Sequence, residues 1–288
     1  MAEKDITEKV LMSYADVFAD CINVLVYNGK RRVRTENLYP APTESFYRRG
    51  RKTHNQFCDV SCYLTEKETI RLQYIIENET KLKKCQILRK ASYQGGAYRA
   101  QMTSGKRIYP VIGMVLDWTG KSTRIPLSLH KLLAADGAAC EDLALVDEVK
   151  LTVWHMRNLP KTVRARFSSD MGFVADFLNE GSFEGRSRQK ILHGEALCEM
   201  MEALTNDTRF TDLIGEMRKK QEKGEEIFMC EYIDMLEARG EAKGKIAGEN
   251  KLASLLAKLY SLGREEDVKL AVRDSDVRSR LYQELCID

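Results

Sequence analysis

Two acidic clusters, eighteen positions apart, are the residues of this sequence best suited to hold a divalent cation. Asp59 closes the segment Phe57-Cys58-Asp59, and Glu77 and Glu79 close the apolar run that begins at Leu72. A carboxylate at the edge of an apolar, strand-like segment is costly unless a partner neutralises its charge. A hard cation bound by oxygen atoms would neutralise it. These acids are therefore candidate metal ligands.

The two clusters meet only in one register of a hairpin. Side chains alternate along a strand, so Glu77 and Glu79 share one face. If the connection is centred on Glu68, paired residue numbers add up to 136 and Asp59 lies opposite Glu77. Opposed Cβ atoms are about 4.5–5.5 Å apart, close enough for both carboxylates to reach one ion. An odd sum such as 133 would place the acids on opposite faces and leave an ordinary hairpin.

The surrounding charge favours a polyanionic substrate. Residues 1–166 hold 28 Lys and Arg against 18 Asp and Glu (net +10), whereas residues 167–288 hold 18 against 25 (net −7). A basic surface around carboxylates gathers phosphates, although a solvated basic face is the alternative. The cations flanking the acids are Lys30, Arg31, Arg32, Arg34, Arg48, Arg49, Arg51, Lys52, Lys81, Lys83, Lys84, Arg89 and Lys90.

Composition excludes several other classes of protein. The 288 residues are 43% hydrophobic and 31% charged, and no apolar run approaches the ~18 residues of a membrane span. The N-terminus is too charged for a signal peptide. Eight cysteines without a Cys-x-x-Cys pair indicate scattered thiols rather than a zinc site or a disulfide framework. We therefore expect a globular protein of the cytoplasm without a membrane partner.

Hydrophobic periodicity predicts an α/β fold. The expected order of helix, strand, strand, helix, strand is typical of a small layered α/β domain. Asp16 and Asp20 lie on the polar face of the first helix and could point toward the acids. The predicted elements are a helix over 7–27, a loop over 31–56, the hairpin over 57–79, a helix over 83–94 ended by Gly95-Gly96, and strands over 109–118 and 151–155.

The second part of the chain has a different pattern. We predict a domain over residues 1–166 and an α-helical region over 167–288, which includes helices within 191–204 and 227–238. Gly240, Gly244 and Gly248 recur every four residues in a charged, otherwise helical stretch. Each glycine costs about 1 kcal/mol in a helix interior. Either another helix approaches closely there, or the stretch is a broken linker.

In order along the chain, several segments resemble the Rpn family, the recombination-promoting nucleases or putative transposases of the PD-(D/E)XK superfamily. The resemblance covers nearly the whole sequence. It rests on Asp16-Val17-Phe18-Ala19-Asp20, Asp59-Val60, Glu77-Asn78-Glu79-Thr80, the run 96–101, Tyr109-Pro110-Val111, Pro126-Leu127-Ser128-Leu129, the run 207–210, Met229-Cys230-Glu231 and the stretch 239–248.

The resemblance implies a restriction-endonuclease-like core, with a mixed central sheet flanked by helices and the order helix, strand, strand, strand, helix, strand. It implies a Mg²⁺- or Mn²⁺-dependent DNA endonuclease that promotes recombination or the activity of mobile elements. Asp59 and Glu77 correspond to the metal ligands of the core motif. Glu79 stands where the superfamily has Lys and this family often has Gln, so it would serve as a general base or a third ligand.

The remaining site residues are expected from the first helix and from the cations around the acids. Asp20 would add a ligand from the first helix, and the charge of Glu79 would be offset by Lys81 or Lys83. The alternative is a degenerate nuclease fold that binds nucleic acid or self-associates without cutting. In either case a homo-oligomer would form through the C-terminal helices. The DNA contacts are expected from Lys81, Lys83, Arg89, Arg99, Arg49 and Arg51.

Overall fold

The computed structural model of the protein describes residues 10–49, 52–105, 107–120, 124–186 and 188–287, and only the backbone of 45–49, 52–56 and 184. Its strands are β1 (Leu38–Pro40), β2 (Glu44–Arg49), β3 (Lys52–Phe57), β4 (Val60–Glu66), β5 (Thr69–Glu79), β6 (Val111–Asp117), β7 (Val153–His155), β8 (Lys190–Ile191) and β9 (Ile227–Phe228).

The helices alternate with these strands and then dominate the second half of the described chain. They are α1 (Ala15–Leu25), α2 (Gln86–Ser104), α3 (Leu129–Ala135), α4 (Cys140–Leu143), α5 (Lys161–Arg164), α6 (Met171–Glu180), α7 (Gly194–Thr205), α8 (Thr208–Glu222), α9 (Met229–Ser261), α10 (Glu265–Arg273) and α11 (Ser275–Glu284).

A five-stranded mixed sheet has the order β1-β4-β5-β6-β7. β1 and β5 flank β4 in antiparallel orientation, whereas β5, β6 and β7 run parallel. β5 is central and buried from Leu72 to Glu79, which is why its sequence is almost continuously apolar until its polar end. The expected α/β class with a mixed central sheet is confirmed.

The hairpin of β4 and β5 adopts the even register. Pairs from Val60–Ile76 to Leu64–Leu72 add up to 136, and a bulge then shifts the register between Leu64 and Thr65. The connection is the two-residue turn Lys67-Glu68, in which both residues have positive φ (48° and 62°). This conformation matches the twist of a tight hairpin. The bulge absorbs one residue, so the register places Asp59 opposite Glu77.

Helices cover both faces of the sheet. Phe18 of α1 contacts Tyr74 edge to face, with ring centroids 6.1 Å apart. On the other face, which carries Ile75, Glu77 and Glu79, α2 approaches so closely that a Cβ at Gly113 would lie 3.2 Å from Lys90 Cγ. Gly113 pairs with Ile75 across β5 and β6. The absence of a side chain at Gly113 therefore lets α2 pack directly over the acidic strand.

Two predicted boundaries are wrong. Residues 31–56 are not only loop, because β1 and the hairpin of β2 and β3 form within them. α2 also continues through Gly95 to Ser104 and ends at Gly105, whose φ is +64°. The helix tolerates Gly95 in its interior. It ends only at Gly105, because a glycine readily adopts the left-handed conformation that terminates a helix.

The described chain divides into two compact units, one ending at Met229 and the other beginning at Cys230. This boundary does not coincide with the expected one after residue 166. The segment that follows residue 166 is tied to α1: Ser168 and Ser169 bind Asp20, and His193 binds Asp16. These contacts explain why it belongs to the first unit.

The second unit is helical. Its core consists of Leu255, Leu259, Val268, Ala271 and Leu281. α9 is continuous through Gly244 and Gly248, so the broken-linker alternative is wrong, and a Cβ at either glycine would meet nothing within 4 Å. Residues 241–250 are all exposed. Among the described helices, none is long and apolar enough to cross a membrane.

Candidate active site at one edge of the sheet

Polar side chains from four strands meet at one edge of the sheet. β5, β6 and β7 are parallel, so their carboxyl ends share this edge, and the antiparallel β4 begins there. Glu79, Asp117 and His155 are partners in the ladder, which places them side by side on one face. Asp59 stands immediately before β4. The edge therefore gathers three carboxylates and an imidazole, with Glu77 one step further in.

Asp59 is held against the end of β5 by a backbone contact. Its Oδ2 accepts a hydrogen bond of 2.7 Å from the backbone N–H of Asn78. The side chain of Asn78 points to the opposite face, where its Oδ1 accepts from Trp118 Nε1 at 3.1 Å. These two bonds fix the start of β4 beside Glu77 and Glu79. The register prediction for Asp59 and Glu77 thus agrees with the backbone pairing.

Glu77 is the most deeply buried acid of the predicted set. Its side chain is 2% exposed, and its Oε2 accepts a hydrogen bond of 2.9 Å from Arg89 Nη2. Burial, followed by the negative charge of Asp59, raises the pKa of Glu77 to about 8, against the opposing effect of Arg89. Among the described residues, no group donates a hydrogen bond to Glu77 Oε1. One oxygen of this carboxyl is therefore a buried acceptor without a described donor.

Arg89 joins the two glutamates. Its Nη1 forms an ion pair with Glu79 Oε1, and its Nη2 also donates to Tyr93 Oη at 3.2 Å. Glu79 Oε1 accepts a second bond, of 2.7 Å, from the fully buried Gln86. α2 thus supplies an arginine, a glutamine and a tyrosine to the acidic end of β5. Arg89 was predicted to bind DNA; in this structure its guanidinium binds Glu77 and Glu79.

The pair of Asp117 and His155 was missed by the sequence prediction. Asp117 is 2% exposed; its Oδ2 lies 2.5 Å from His155 Nδ1, and its Oδ1 accepts from the backbone of Thr119 at 3.0 Å. A polar residue that ends a buried parallel strand is a signal for a site, because ligands bind at the carboxyl ends of such strands. Asp117 carries that signal at the end of the apolar run beginning at Val111.

Asp20 is not part of this edge. Its helix, α1, covers the face of Tyr74, and its carboxylate accepts hydrogen bonds from the backbone and hydroxyl groups of Ser168 and Ser169, between 2.8 and 3.0 Å. Asp16 on the same helix binds His193 Nε2 at 2.9 Å. Both acids of α1 therefore form hydrogen bonds with the segment after residue 166.

The cations that were predicted to bind DNA occupy different parts of the chain. Lys81 and Lys83 are exposed in the connection between β5 and α2, directly after Glu79. Arg99 is exposed on the second half of α2. Arg49 ends β2, in the part described by its backbone alone, and Arg51 lies outside the described residues. Lys81 and Lys83 are thus the exposed lysines nearest in sequence to the acidic edge.

The fit of a metal ion can be judged from the donor atoms. Among the described residues, no three His, Cys, Asp or Glu side chains converge as a group that could hold a metal ion. Two features nevertheless match a hard cation. Asp59 directly precedes the Val60–Ile76 pair and accepts a hydrogen bond from the backbone of Asn78, beside Glu77, and Glu77 Oε1 is a buried oxygen to which no described group donates. Carboxylate oxygens in this arrangement suit Mg²⁺ or Mn²⁺.

Comparison of the chain with protein-family models, with curated proteins and with solved structures finds no match.

Proposed function

We propose that this protein is a divalent-metal-dependent DNA endonuclease with a restriction-endonuclease-like core. The observation that carries the proposal is the even register of the hairpin. This register sets Asp59 opposite Glu77, with Glu79 on the same face and Arg89 beside both glutamates. The carboxylates that the family resemblance assigns to the metal are therefore neighbours at one sheet edge.

The connectivity supports the same core. α1, β1, β4, β5, α2 and β6 follow one another as helix, strand, strand, strand, helix, strand. The hairpin of β2 and β3 is inserted before β4 and forms its own two-stranded sheet. In this arrangement the acids lie at the hairpin and α2 covers their face of the sheet, and the order of the elements is the one that the resemblance implies.

Asp59 and Glu77 would hold the ion, because they offer facing carboxylates and an oxygen to which no described group donates. A bound Mg²⁺ or Mn²⁺ ion would polarise the scissile phosphate and lower the pKa of a water molecule. Glu79 is the acceptor for the proton that the attacking water loses. Its carboxylate already accepts bonds from Gln86 and Arg89, which orient it at the end of β5.

Cations around the edge would bind the substrate. Arg89 balances the negative charge of Glu77 and Glu79 and can turn one guanidinium edge toward a phosphate oxygen. Lys81 and Lys83 project from the adjoining connection. Contacts of this kind bind the DNA backbone and contribute little to sequence recognition. They agree with the net charge of +10 over residues 1–166.

Nicking of supercoiled plasmid in the presence of Mg²⁺ or Mn²⁺ tests the proposal. We expect Asp59→Asn and Glu77→Gln to reduce nicking about 100-fold or more, since each removes a charged ligand of the ion. Glu66→Gln is the matched control, because Glu66 is an exposed acid at the other end of the same hairpin. If Glu77→Gln nicks as fast as the wild type, the site assignment is wrong.

A second candidate is a nuclease-like protein that binds nucleic acid without cutting it. Two observations favour it: the guanidinium of Arg89 bridges both glutamates, and Glu79 replaces the Lys or Gln of the family pattern. Glu79→Gln separates the candidates. A loss of cleavage makes Glu79 part of the catalytic machinery, whereas a gain of cleavage in an inactive wild type supports the second candidate.

Self-association through the C-terminal helices is expected for both candidate functions. Residues 241–250 of α9 are exposed, and Gly244 and Gly248 leave open space beside the helix. A second copy of the helix could approach closely at these glycines. Sedimentation of the full chain over a range of concentrations tests the idea, and a constant monomer mass would contradict it.

A further inference from the structure

A cavity of about 490 Å³ lies on the α2-covered face of the sheet, beside the acidic edge. Its floor is formed by Gln73 and Ile75 of β5, and one wall by the α2 residues from Tyr93 to Ser104. Ile75 lies two residues before Glu77 on the same face, a separation of roughly 7 Å along the strand. The cavity thus begins within the reach of one nucleotide from the carboxylates.

Two contacts join the cavity to the site. Tyr93 lines the cavity, and its hydroxyl accepts from Arg89, which binds Glu77. Cys58 also lines the cavity and directly precedes Asp59. A molecule in the cavity would therefore touch side chains that are adjacent to both predicted metal ligands.

The lining has the chemistry of a site for a flat aromatic ring. Tyr63 and Tyr109 meet edge to face with centroids 5.9 Å apart, and Tyr93 supplies a third ring. Burial and a hydrogen bond with Tyr63 raise the pKa of Tyr109 to about 12. Base–aromatic stacking of this kind is tolerant of base identity, because every base has a π-face.

Polar groups are present at the edge of this apolar space. Gln101 lines the cavity and is 3% exposed; its Oε1 accepts from the backbone of Tyr109 at 2.9 Å. Among the described residues, its Nε2 finds no acceptor, although a buried donor is normally paired. Arg99 lines the cavity from an exposed position on α2. The lining thus places a polar side chain and a cation at the edge of the apolar space.

We propose that this cavity receives one unpaired base of the DNA substrate, stacked on one of the perpendicular rings of Tyr63 and Tyr109, while a neighbouring phosphate of the same strand lies at the Asp59–Glu77 edge. The inference rests on the proposed function, since it takes DNA as the ligand. Extrusion of a base into such a pocket requires unstacking, which costs least where the base is already unpaired. The cavity therefore favours DNA with bulged or single-stranded positions.

Binding measured without divalent metal tests the cavity separately from cleavage. The probes are short duplexes that carry a single unpaired adenine, the same duplex with an abasic residue in its place, and the fully matched duplex. We expect the adenine bulge to bind about tenfold more tightly than the abasic bulge, the effect of one stacked base. Equal affinity for the two would overturn the cavity proposal, even if the protein nicks plasmid.

Variants of the lining identify the site. Tyr109→Leu removes a stacking ring, and Ala100→Trp fills the space from an exposed helical position, so both should reduce the tenfold preference to about one. Tyr109→Phe keeps the ring and should retain it. Tyr260→Leu, at an exposed tyrosine of α9, is the matched control. Retention of the preference in both Tyr109→Leu and Ala100→Trp would overturn the proposal.

A free nucleotide offers the same base as DNA does. Competition by deoxyadenosine monophosphate distinguishes the two sources. We expect the mononucleotide to compete far more weakly than the bulged duplex, because it lacks the neighbouring phosphates. Equal competition would overturn the assignment to DNA. A preserved adenine preference in a protein that never cuts would refute the endonuclease proposal alone.

Discussion

Arg89 Nη2 lies 2.9 Å from Oε2 of Glu77, so a cation from α2 meets a carboxylate that is almost fully buried in β5. The same guanidinium reaches Glu79. In a nuclease this arrangement holds the acids together in the absence of substrate. It also makes the charge balance of the site depend on one helical side chain, and this dependence can be measured.

Removal of the charge at Arg89 should destabilise the fold. Arg89→Leu leaves the neighbouring carboxyl groups of Glu77 and Glu79 without their shared hydrogen-bond donor and counter-charge. We expect a loss of about 1–3 kcal/mol in the free energy of unfolding at neutral pH, below the range for fully buried pairs because Arg89 is 36% exposed. Arg71→Leu, which removes an exposed pair with Glu66, should cost less than about 1 kcal/mol. Equal losses in chemical denaturation would contradict this explanation.

The raised pKa of Glu77 predicts a decrease in stability with pH. A carboxyl with a pKa of about 8 in the folded state and its ordinary value of 4.5 in the unfolded state binds more protons when folded between these pH values. The free energy of unfolding should therefore fall between about pH 4.5 and pH 8, with a slope of up to about 1.4 kcal/mol per pH unit from this group.

Glu77→Gln should remove that slope, since a glutamine does not titrate. Denaturant unfolding of both proteins over this pH range provides the measurement. Glu66→Gln, at the exposed end of the hairpin, should leave the slope unchanged. A difference between the wild-type and Glu77→Gln curves that stays flat over this range would show that Glu77 is already ionised in the folded protein.

Asp20 should act on stability and not on catalysis. Asp20→Ala removes four hydrogen bonds to Ser168 and Ser169, and we expect a loss of about 1–2 kcal/mol in the free energy of unfolding. Asp136→Ala, which loses one exposed ion pair with Lys84, should change stability by less than about 0.5 kcal/mol. A metal-dependent loss of nicking by folded Asp20→Ala would instead restore Asp20 as a ligand.

The Asp117–His155 pair should be sensitive to truncation of the histidine. His155→Ala leaves a carboxylate that is 2% exposed with a backbone bond from Thr119, and the expected cost is about 1–3 kcal/mol. His155→Asn keeps a hydrogen-bond donor near Asp117 and should recover part of the lost stability. Thermal unfolding of the three proteins measures the effect, and an unchanged melting temperature for His155→Ala would show that the bond contributes nothing.

Glycines of α9 should reveal whether a second copy packs there. In the isolated chain, Gly244→Ala and Gly248→Ala add a methyl group where no atom lies within 4 Å, so each should raise helix stability by about 0.5–1 kcal/mol. Helix content by circular dichroism and sedimentation together provide the test. Destabilisation accompanied by a loss of oligomer would place a neighbouring helix against these residues.

The sequence predicted the hairpin better than its surroundings. The predicted pairing sum of 136 is confirmed, but the predicted connection centred on Glu68 is wrong: the turn is Lys67-Glu68, and the bulge between Leu64 and Thr65 restores the even register. The extension of α2 beyond Gly95 was not predictable from local propensity, since packing over Gly113 overrides the cost of a helical glycine. The end of the helix at Gly105 depends on a left-handed conformation.

Partners far apart in sequence were harder to predict. Arg89 was recognised as a cation near the acids, but a one-dimensional pattern does not show whether a guanidinium faces phosphate or carboxylate. Asp117 and His155 are 38 residues apart and meet only because β6 and β7 are parallel neighbours. Asp20 was predicted as a ligand from its place on the polar face of the first helix, whereas its hydrogen bonds depend on the tertiary position of Ser168, 148 residues away.

The bulge at Leu64 and Thr65 lies at the far end of the hairpin from the acids. It determines on which face of the sheet Asp59 lies. Deleting one residue from the Lys67-Glu68 turn, or straightening the bulge, would slide β4 by one position and turn Asp59 to the opposite face of the sheet. Every acid would remain in the sequence, and the fold class would be unchanged. Under the proposed function, a variant shortened in this connection would therefore keep all of its carboxylates and lose cleavage.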